Sequence, residues 1–304
     1  MKGIVKYVLP FLLVSFFNFV VQAKGTQDPE IKIVATIGKS GYVGQAFTYE
    51  VCLLSTSPDI SNVRIARYPF YPEDISVVQG VVRNNRPERI QEKGKTFYSW
   101  VISRNFIFPG KPGKFRIGAG KYVVFIPHER IISQGFWGNQ RIVEYEEKLV
   151  ECNELEFKVS DLPSIRKGEE FTGCVGDFKI EGWFPPGYIQ TGRQAYAMFV
   201  ISGYGSLEDL KLPNIFKIFN NGCRLMEVEQ NDEQFQRDGQ LFSQVTLTCS
   251  FMPEEDDFVI DPLCLKFFNP TSKKYYDACS EELRRTGQPS DKKKSHDNKD
   301  AIAI

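Results

Sequence analysis

The chain has 304 residues, with 38 basic and 38 acidic side chains and therefore no net charge at neutral pH. That balance argues against a general nucleic-acid binder, which normally carries a basic excess to neutralise phosphate. Once an N-terminal leader is set aside, about 280 residues remain, enough for two ordinary domains.

Residues 1–23 read as an export signal. Lys2 and Lys6 supply the positive region, and Val8 to Val21 is an apolar run interrupted only by Pro10, Ser15 and Asn18. Val21-Gln22-Ala23 presents small side chains where a signal peptidase needs them, so cleavage is expected between Ala23 and Lys24. The run is short for a membrane span, which takes about 20 apolar residues. No second apolar run approaches that length, and no cysteine follows the first closely enough for a lipoprotein signal. The expected location is the periplasm, with the membrane contacted only indirectly.

Beyond the leader the pattern is almost entirely strand. Ile31, Ile33, Ala35 and Ile37 alternate with polar residues, as do Phe47, Tyr49, Val51 and Leu53, and later Tyr98, Trp100 and Ile102. A period of two puts one face on a core and the other in water. Gly38 to Gly44, Asn84 to Pro87 and Pro109 to Gly113 separate the runs. Many short strands between turn signals predict β-sandwiches. No long segment carries the apolar stripe of a helix.

A weak internal repeat divides the chain. Asn105-Phe-Ile-Phe-Pro109 is followed after a turn by Phe115-Arg-Ile117, and Cys249-Ser-Phe-Met-Pro253 by Phe258-Val-Ile260. Gly41-Tyr42 and Gly187-Tyr188 each precede an early strand. These pairs recur at an offset of about 145 residues. Each unit is expected to have an early strand and a late hairpin, whose proline suits a turn or a sheet edge. The predicted organisation is all-β, with two immunoglobulin-like β-sandwich domains in tandem, residues 24–163 and 164–284. Residues 285–304 are polar and rich in Lys, Asp and Ser, and are expected to form a disordered tail.

Seven cysteines stand at 52, 152, 174, 223, 249, 264 and 279. An exported protein can form disulfides, but the odd count leaves at least one thiol unpaired or intermolecular, and the wide spacing matches no metal motif. Cys52 and Cys249 fall in strand-like runs, where a buried thiol acts as a small apolar residue. The pairing is open at this level.

Catalytic patterns are sparse. There are two histidines, His128 and His296. Neither has His, Cys, Asp or Glu neighbours at local metal-ligand spacing. The chain offers no Gly-x-Ser-x-Gly elbow, no papain-like cysteine signature and no phosphate-cradling Gly-x4-Gly-Lys-Ser/Thr loop. Gly118-Ala-Gly120-Lys121 is glycine-rich but short, and is expected to continue a strand. Glu254-Glu-Asp-Asp257 is the densest acidic run and lacks the spacing of an EF-hand calcium loop; a solvated turn is expected. No enzyme activity, cofactor or metal site is expected. The remaining candidates are aromatics set beside Gly and Pro, Phe136 and Trp137 in one stretch and Trp183 in another, which suit a protein- or sugar-contacting patch.

Leu162-Pro163 closes the first block, and Phe171, Gly173, Val175, Gly176 and Phe178 open the second. This Phe-x-Gly-x-Val-Gly-x-Phe phrase resembles the inter-domain segment of the BatD-like "oxygen tolerance" (aerotolerance) family, with Cys174 where a small residue is the norm. Tyr68-Pro-Phe-Tyr-Pro72 with Ile75 to Gly80, and Pro109 to Ile117, resemble that family's first unit. Ser202-Gly203, Leu210 to Pro213, Phe216 to Phe219 leading into a strand, Phe267 to Pro270 and Lys274 to Tyr276 resemble its second. The similarity runs from about residue 30 to 283 and lacks the C-terminal transmembrane helix of longer members. It implies a non-enzymatic periplasmic interaction or scaffold protein. Its implied partners are envelope proteins, among them von Willebrand A-type proteins associated with a MoxR-type ATPase, in an assembly for oxygen or stress tolerance. The competing reading is a carbohydrate-binding or carbohydrate-active envelope protein.

Overall fold

A computed structural model describes residues 28–82, 86–133 and 139–285. Ala23, Lys24, Phe136 and Trp137, with the rest of the leader and the polar tail from residue 286, lie outside the described residues. The protein is all-β, with 60% of residues in strands and 2% in helix, arranged in several separate sheets.

The first part of the chain contributes β1 (Ile31–Thr36), β2 (Ser40–Tyr42), β3 (Phe47–Ser55), β4 (Asn62–Arg67), β5 (Ile75–Gln79), β6 (Glu88–Glu92) and β7 (Lys95–Pro109). It continues with β8 (Gly113–Ile117), β9 (Lys121–Ser133), β10 (Asn139–Glu151) and β11 (Leu155–Ser160). The second part contributes β12 (Gly176–Trp183), β13 (Ala195–Gly205), β14 (Cys223–Arg237) and β15 (Gln240–Pro253). It ends with β16 (Phe258–Ile260), β17 (Cys264–Asn269), β18 (Lys274–Cys279) and β19 (Leu283–Arg285). A short 3-10 turn over Ile215–Ile218 stands where Phe216 to Phe219 were expected to lead directly into a strand. Asn214 caps it by accepting the Phe216 N–H at 3.1 Å.

Two sheets share one strand order. In the first, β1, β3, β7 and β5 lie side by side; in the second, β12, β13, β15 and β14 do. In each, the first two strands are followed by the last in chain order and then by the third. The difference lies at the outer edge. β14 covers β15 from Cys223 opposite Pro253 to Arg237 opposite Gln240, whereas β5 and β6 divide that role along β7. Alternation explains why these segments are strands: Ile31, Ile33 and Ala35 on β1, and Ala195, Ala197, Phe199 and Ile201 on β13, are buried while the residues between them are more exposed.

The expected late hairpins are not hairpins. β8 pairs with β11 rather than β7, and β16 pairs with β19 rather than β15. In both cases the chain leaves one sheet at a proline, Pro109 or Pro253, and enters another. Pro lacks the N–H that a continuing ladder would use, so the strand stops there in both places. Two smaller expectations also fail. Ser40–Tyr42 is a short strand parallel to β11, and Gly118 to Gly120 interrupts rather than continues a strand. Arg285, placed in the tail by sequence, closes β19 opposite Phe258.

The buried apolar side chains form two clusters. One runs from Ile31 to Val159 and includes Tyr49, Val51, Trp100, Tyr122 and Phe157. The other runs from Cys174 to Leu283 and includes Phe178, Phe199, Phe251, Phe258 and Phe267. Burying a side chain of this size contributes about 1.5–3 kcal/mol relative to exposure, so each cluster is a substantial driving force by itself.

The phrase between the clusters has physical reasons for its residue types. Gly173 has φ +88°, in the left-handed region, and a Cβ on Gly176 would lie 2.3 Å from the Tyr204 carbonyl. Val175 and Phe178 are buried, and Cys174 is buried with them. The Tyr276 hydroxyl accepts the Phe178 N–H at 2.6 Å and donates to the Phe178 carbonyl at 3.2 Å. That one side chain fastens the start of β12 to β18.

Candidate functional site

β9 and β10 pair from Lys121 opposite Glu151 to Ser133 opposite Asn139. Their inward residues Val124 and Ile126 are buried, but the next in phase, His128, is only half-buried. The hairpin therefore leaves the core between Ile126 and His128. Five residues, Gln134 to Gly138, join the two strands and include Phe136 and Trp137.

Among the described residues β10 ends its sheet, bonded to β9 in the order β10, β9, β4, with β1 packed nearby. Val143, Tyr145, Glu147 and Leu149 share one face of it. Tyr145 is 56% and Leu149 63% exposed, and Val143 is exposed too. Arg64 of β4 reaches the same face, its guanidinium 6.0 Å from the Phe125 ring and 3.9 Å from Glu147. A long edge strand leaves a row of N–H and C=O groups able to pair with another chain. Here that edge also carries exposed apolar side chains.

The opposite face of the hairpin holds titratable groups. His128 stands across from Glu144, and Glu146 lies one step along on the same face. His128 Nε2 is 3.0 Å from Glu146 Oε2. Asp28, just ahead of β1, completes a group whose potential ligand atoms all lie within 4.8 Å of one another. Local spacing around His128 gave no hint of this, because the three residues come from three places in the chain. The usable signal was the cross-strand register of the hairpin, which sequence leaves open.

Trp183 ends β12 and is 41% exposed. It stands opposite Met198 and shares that outer sheet face with Tyr196. Phe184 turns the other way and packs on Phe251 and Phe258, with ring centroids 6.1 and 5.9 Å apart. Tyr188 is fully outside, with the Arg285 guanidinium 5.5 Å from its ring. Trp183 thus lies on the sheet of the second core, whereas Phe136 and Trp137 lie outside the described residues.

The acidic run Glu254 to Asp257 links β15 to β16 and is exposed. Its members turn to separate partners: Glu254 lies 3.4 Å from Arg224, and Asp256 accepts from Thr191. A cleft of ≈ 230 Å³ lies where the two units meet, lined by Gln45, Thr48, Asp177, Tyr204, Gln240 and Asn269. Neither an imidazole nor a thiol lines it. Four of the free cysteines, 152, 174, 223 and 249, are buried and Cys52 is half-buried, while Cys264 and Cys279 form a disulfide across the β17–β18 ladder.

No protein-family model matches the chain, and no curated protein matches it.

Proposed function

We propose that this is an exported, non-enzymatic scaffold or interaction protein of the bacterial envelope, built from two immunoglobulin-like sandwiches and related to the BatD-like oxygen-tolerance family. The shared strand order of the two four-strand paths supports the tandem reading, since it is the order of one sheet of immunoglobulin-like sandwiches. The placement of Val175, Gly176 and Phe178 at the joint supports the family resemblance. The observation that carries the functional reading is the β9–β10 hairpin. It runs beyond the core, offers an edge that no described strand pairs, with exposed Val143, Tyr145 and Leu149, and leads in sequence into Phe136 and Trp137. Edge strands take partner strands by main-chain pairing, with side chains setting specificity. The partner on this reading is an envelope protein, with von Willebrand A-type proteins served by a MoxR-type ATPase as the class to seek. No cofactor is required.

The test is cross-linking in the native envelope followed by co-purification. Wild type is expected to recover at least one envelope protein reproducibly. Trp137→Ala is expected to reduce that recovery while leaving the melting temperature nearly unchanged. Truncation of a central interface aromatic often costs about 2 kcal/mol of binding or more. A wild-type protein that recovers nothing would remove the scaffold reading.

A second reading, carbohydrate binding, is favoured by one observation. Trp183 and Tyr196 are exposed on one sheet face, and Tyr188 is exposed in the loop after β12; aromatic faces of this kind stack on sugar rings. Glycan-array binding abolished by Trp183→Ala would favour it.

A further inference from the structure

We propose that Asp28, His128 and Glu146 form a binding site for a divalent first-row transition metal of the zinc class, joining the segment ahead of β1 to the β9–β10 hairpin. The inference does not depend on the identity of any protein partner.

Geometry carries it. The donor atoms come from an N-terminal segment, from β9 and from β10, yet all lie within 4.8 Å of one another. Donors around a four-coordinate zinc ion, with bonds of about 2.0–2.2 Å to nitrogen and oxygen, sit a little over 3 Å apart. His128 Nε2 and Glu146 Oε2 are already 3.0 Å apart. Small side-chain rotations would close the remaining distances. The register of β9 with β10 holds His128 and Glu146 on one face, so two of the three donors are fixed by the sheet and not by flexible loop backbone.

The donor chemistry selects the ion. One imidazole and two carboxylates suit zinc or a neighbouring transition ion better than calcium, which takes oxygen ligands only. Asp28 and Glu146 are exposed and His128 half-buried, so water would complete the coordination. Among the described residues, neither Asp28 nor Glu146 is in an ion pair with Lys or Arg; Glu146 is paired only with His128. Glu144, across from His128, and Lys148, next beyond Glu146 on that face, are the other charged groups that the described register brings close. Glu144 has interactions of its own.

A bound ion would act as a staple. It would tie the N-terminal segment to the hairpin at the point where the hairpin leaves the core, and so stiffen the base of the projection. Because metal binds the folded site, it should also raise the unfolding temperature by mass action.

The experiment uses the mature, untagged chain, with equilibrium dialysis against zinc followed by metal analysis, and cobalt substitution followed by visible spectroscopy. Wild type is expected to take up a single zinc ion and to show cobalt ligand-field bands. His128→Ala and Glu146→Gln are expected to lose both, with circular dichroism unchanged, and Asp28→Asn to weaken both. His296→Ala and Cys52→Ser are expected to behave as wild type. No uptake by wild type at molar excess of zinc, or equal uptake by His128→Ala, would overturn the proposal.

Discussion

Tyr42 and Phe268 meet edge to face, with ring centroids 4.8 Å apart. Tyr42 lies on β2 beside the first core and Phe268 on β17 of the second, so this contact crosses the joint. Phe268 also bridges to Val175 of the joint phrase, Tyr275 donates to the Pro163 carbonyl at 2.8 Å, and the Val81 N–H donates to Gln236 at 3.2 Å. The Tyr42–Phe268, Tyr275–Pro163 and Val81–Gln236 contacts thus link the parts of the chain that carry the two cores, and residues 161–173 run between those parts. Arg166 and Lys167 remain exposed within residues 161–173. Trypsin is expected to cut there first and to leave two β-rich fragments that stay associated. An aromatic pair of this geometry contributes about 0.5–1.5 kcal/mol, so Tyr42→Ala should make the fragments separate more readily on a sizing column. A nicked Tyr42→Ala protein that holds together as firmly as wild type would show that the contact does not couple the units.

The Cys264–Cys279 bridge closes a loop with a sequence separation of 15 across the β17–β18 hairpin. Cross-linking a loop of this size stabilises by about 3 kcal/mol in the chain-entropy account. Reduction, or a Cys264→Ser/Cys279→Ser double variant, is expected to lower the melting temperature of the unit containing β12 to β19. Differential scanning calorimetry with and without reductant measures it. An unchanged transition would mean that the ladder holds the hairpin without the bridge.

Burial pushes the Cys174 and Cys249 thiols up to about 12, and those of Cys223 and Cys52 up to about 11. The native protein then keeps these protons at pH values where the unfolded chain, with thiols near 9.0, has released them. Because the unfolded state binds fewer protons there, stability falls as pH rises from about 9. It is fully present below that range. Two outcomes are expected: alkylation of these thiols at pH 8 should be slow until denaturant is added, and chemical denaturation midpoints should drop between pH 9 and 11. Fast labelling of Cys174 or Cys249 in the native state would contradict the buried placement.

Tyr49 is buried beside the Cys152 thiol, and its hydroxyl makes no hydrogen bond of normal geometry among the described residues. Its ring packs edge to face on Tyr71 at 5.8 Å. A buried hydroxyl without a partner is a cost of about 1–3 kcal/mol. Tyr49→Phe keeps the ring and removes that cost, so it is expected to leave stability equal or higher. A clear loss in urea titration would reveal a hydrogen bond to the hydroxyl.

Much of the fold was legible because a pleated strand records burial locally. Ile31, Ile33 and Ala35 alternate in sequence and are buried in alternation; the same holds for Phe47, Tyr49, Val51 and Leu53. The ends of the long strands at Pro109 and Pro253 were also readable from those prolines, whereas Pro127 lies inside β9 and does not end its ladder with β10. What was not legible is which strand pairs with which. β8 and β16 look like the second arms of hairpins, yet each crosses to another sheet, because pairing between distant segments leaves no trace in either one alone. His128 shows the same limit. Its neighbours in sequence say nothing of Asp28 or Glu146, which only the β9–β10 register and the entry to β1 bring to it. Trp183 could be placed beside glycine and proline as a surface candidate, whereas Phe184 next to it is packed on the core, a difference set by strand parity.

The central claim is that the β9–β10 hairpin is the partner-binding element, and photo-cross-linking tests it most directly. A photoreactive amino acid is placed in turn at Tyr145, at Trp183 and at Lys114, an exposed position on β8, and irradiated in cells. The account predicts a discrete adduct with an envelope protein at Tyr145 and none at Lys114. No adduct at Tyr145, or adducts only at Trp183, would contradict it and move the working surface to the other unit.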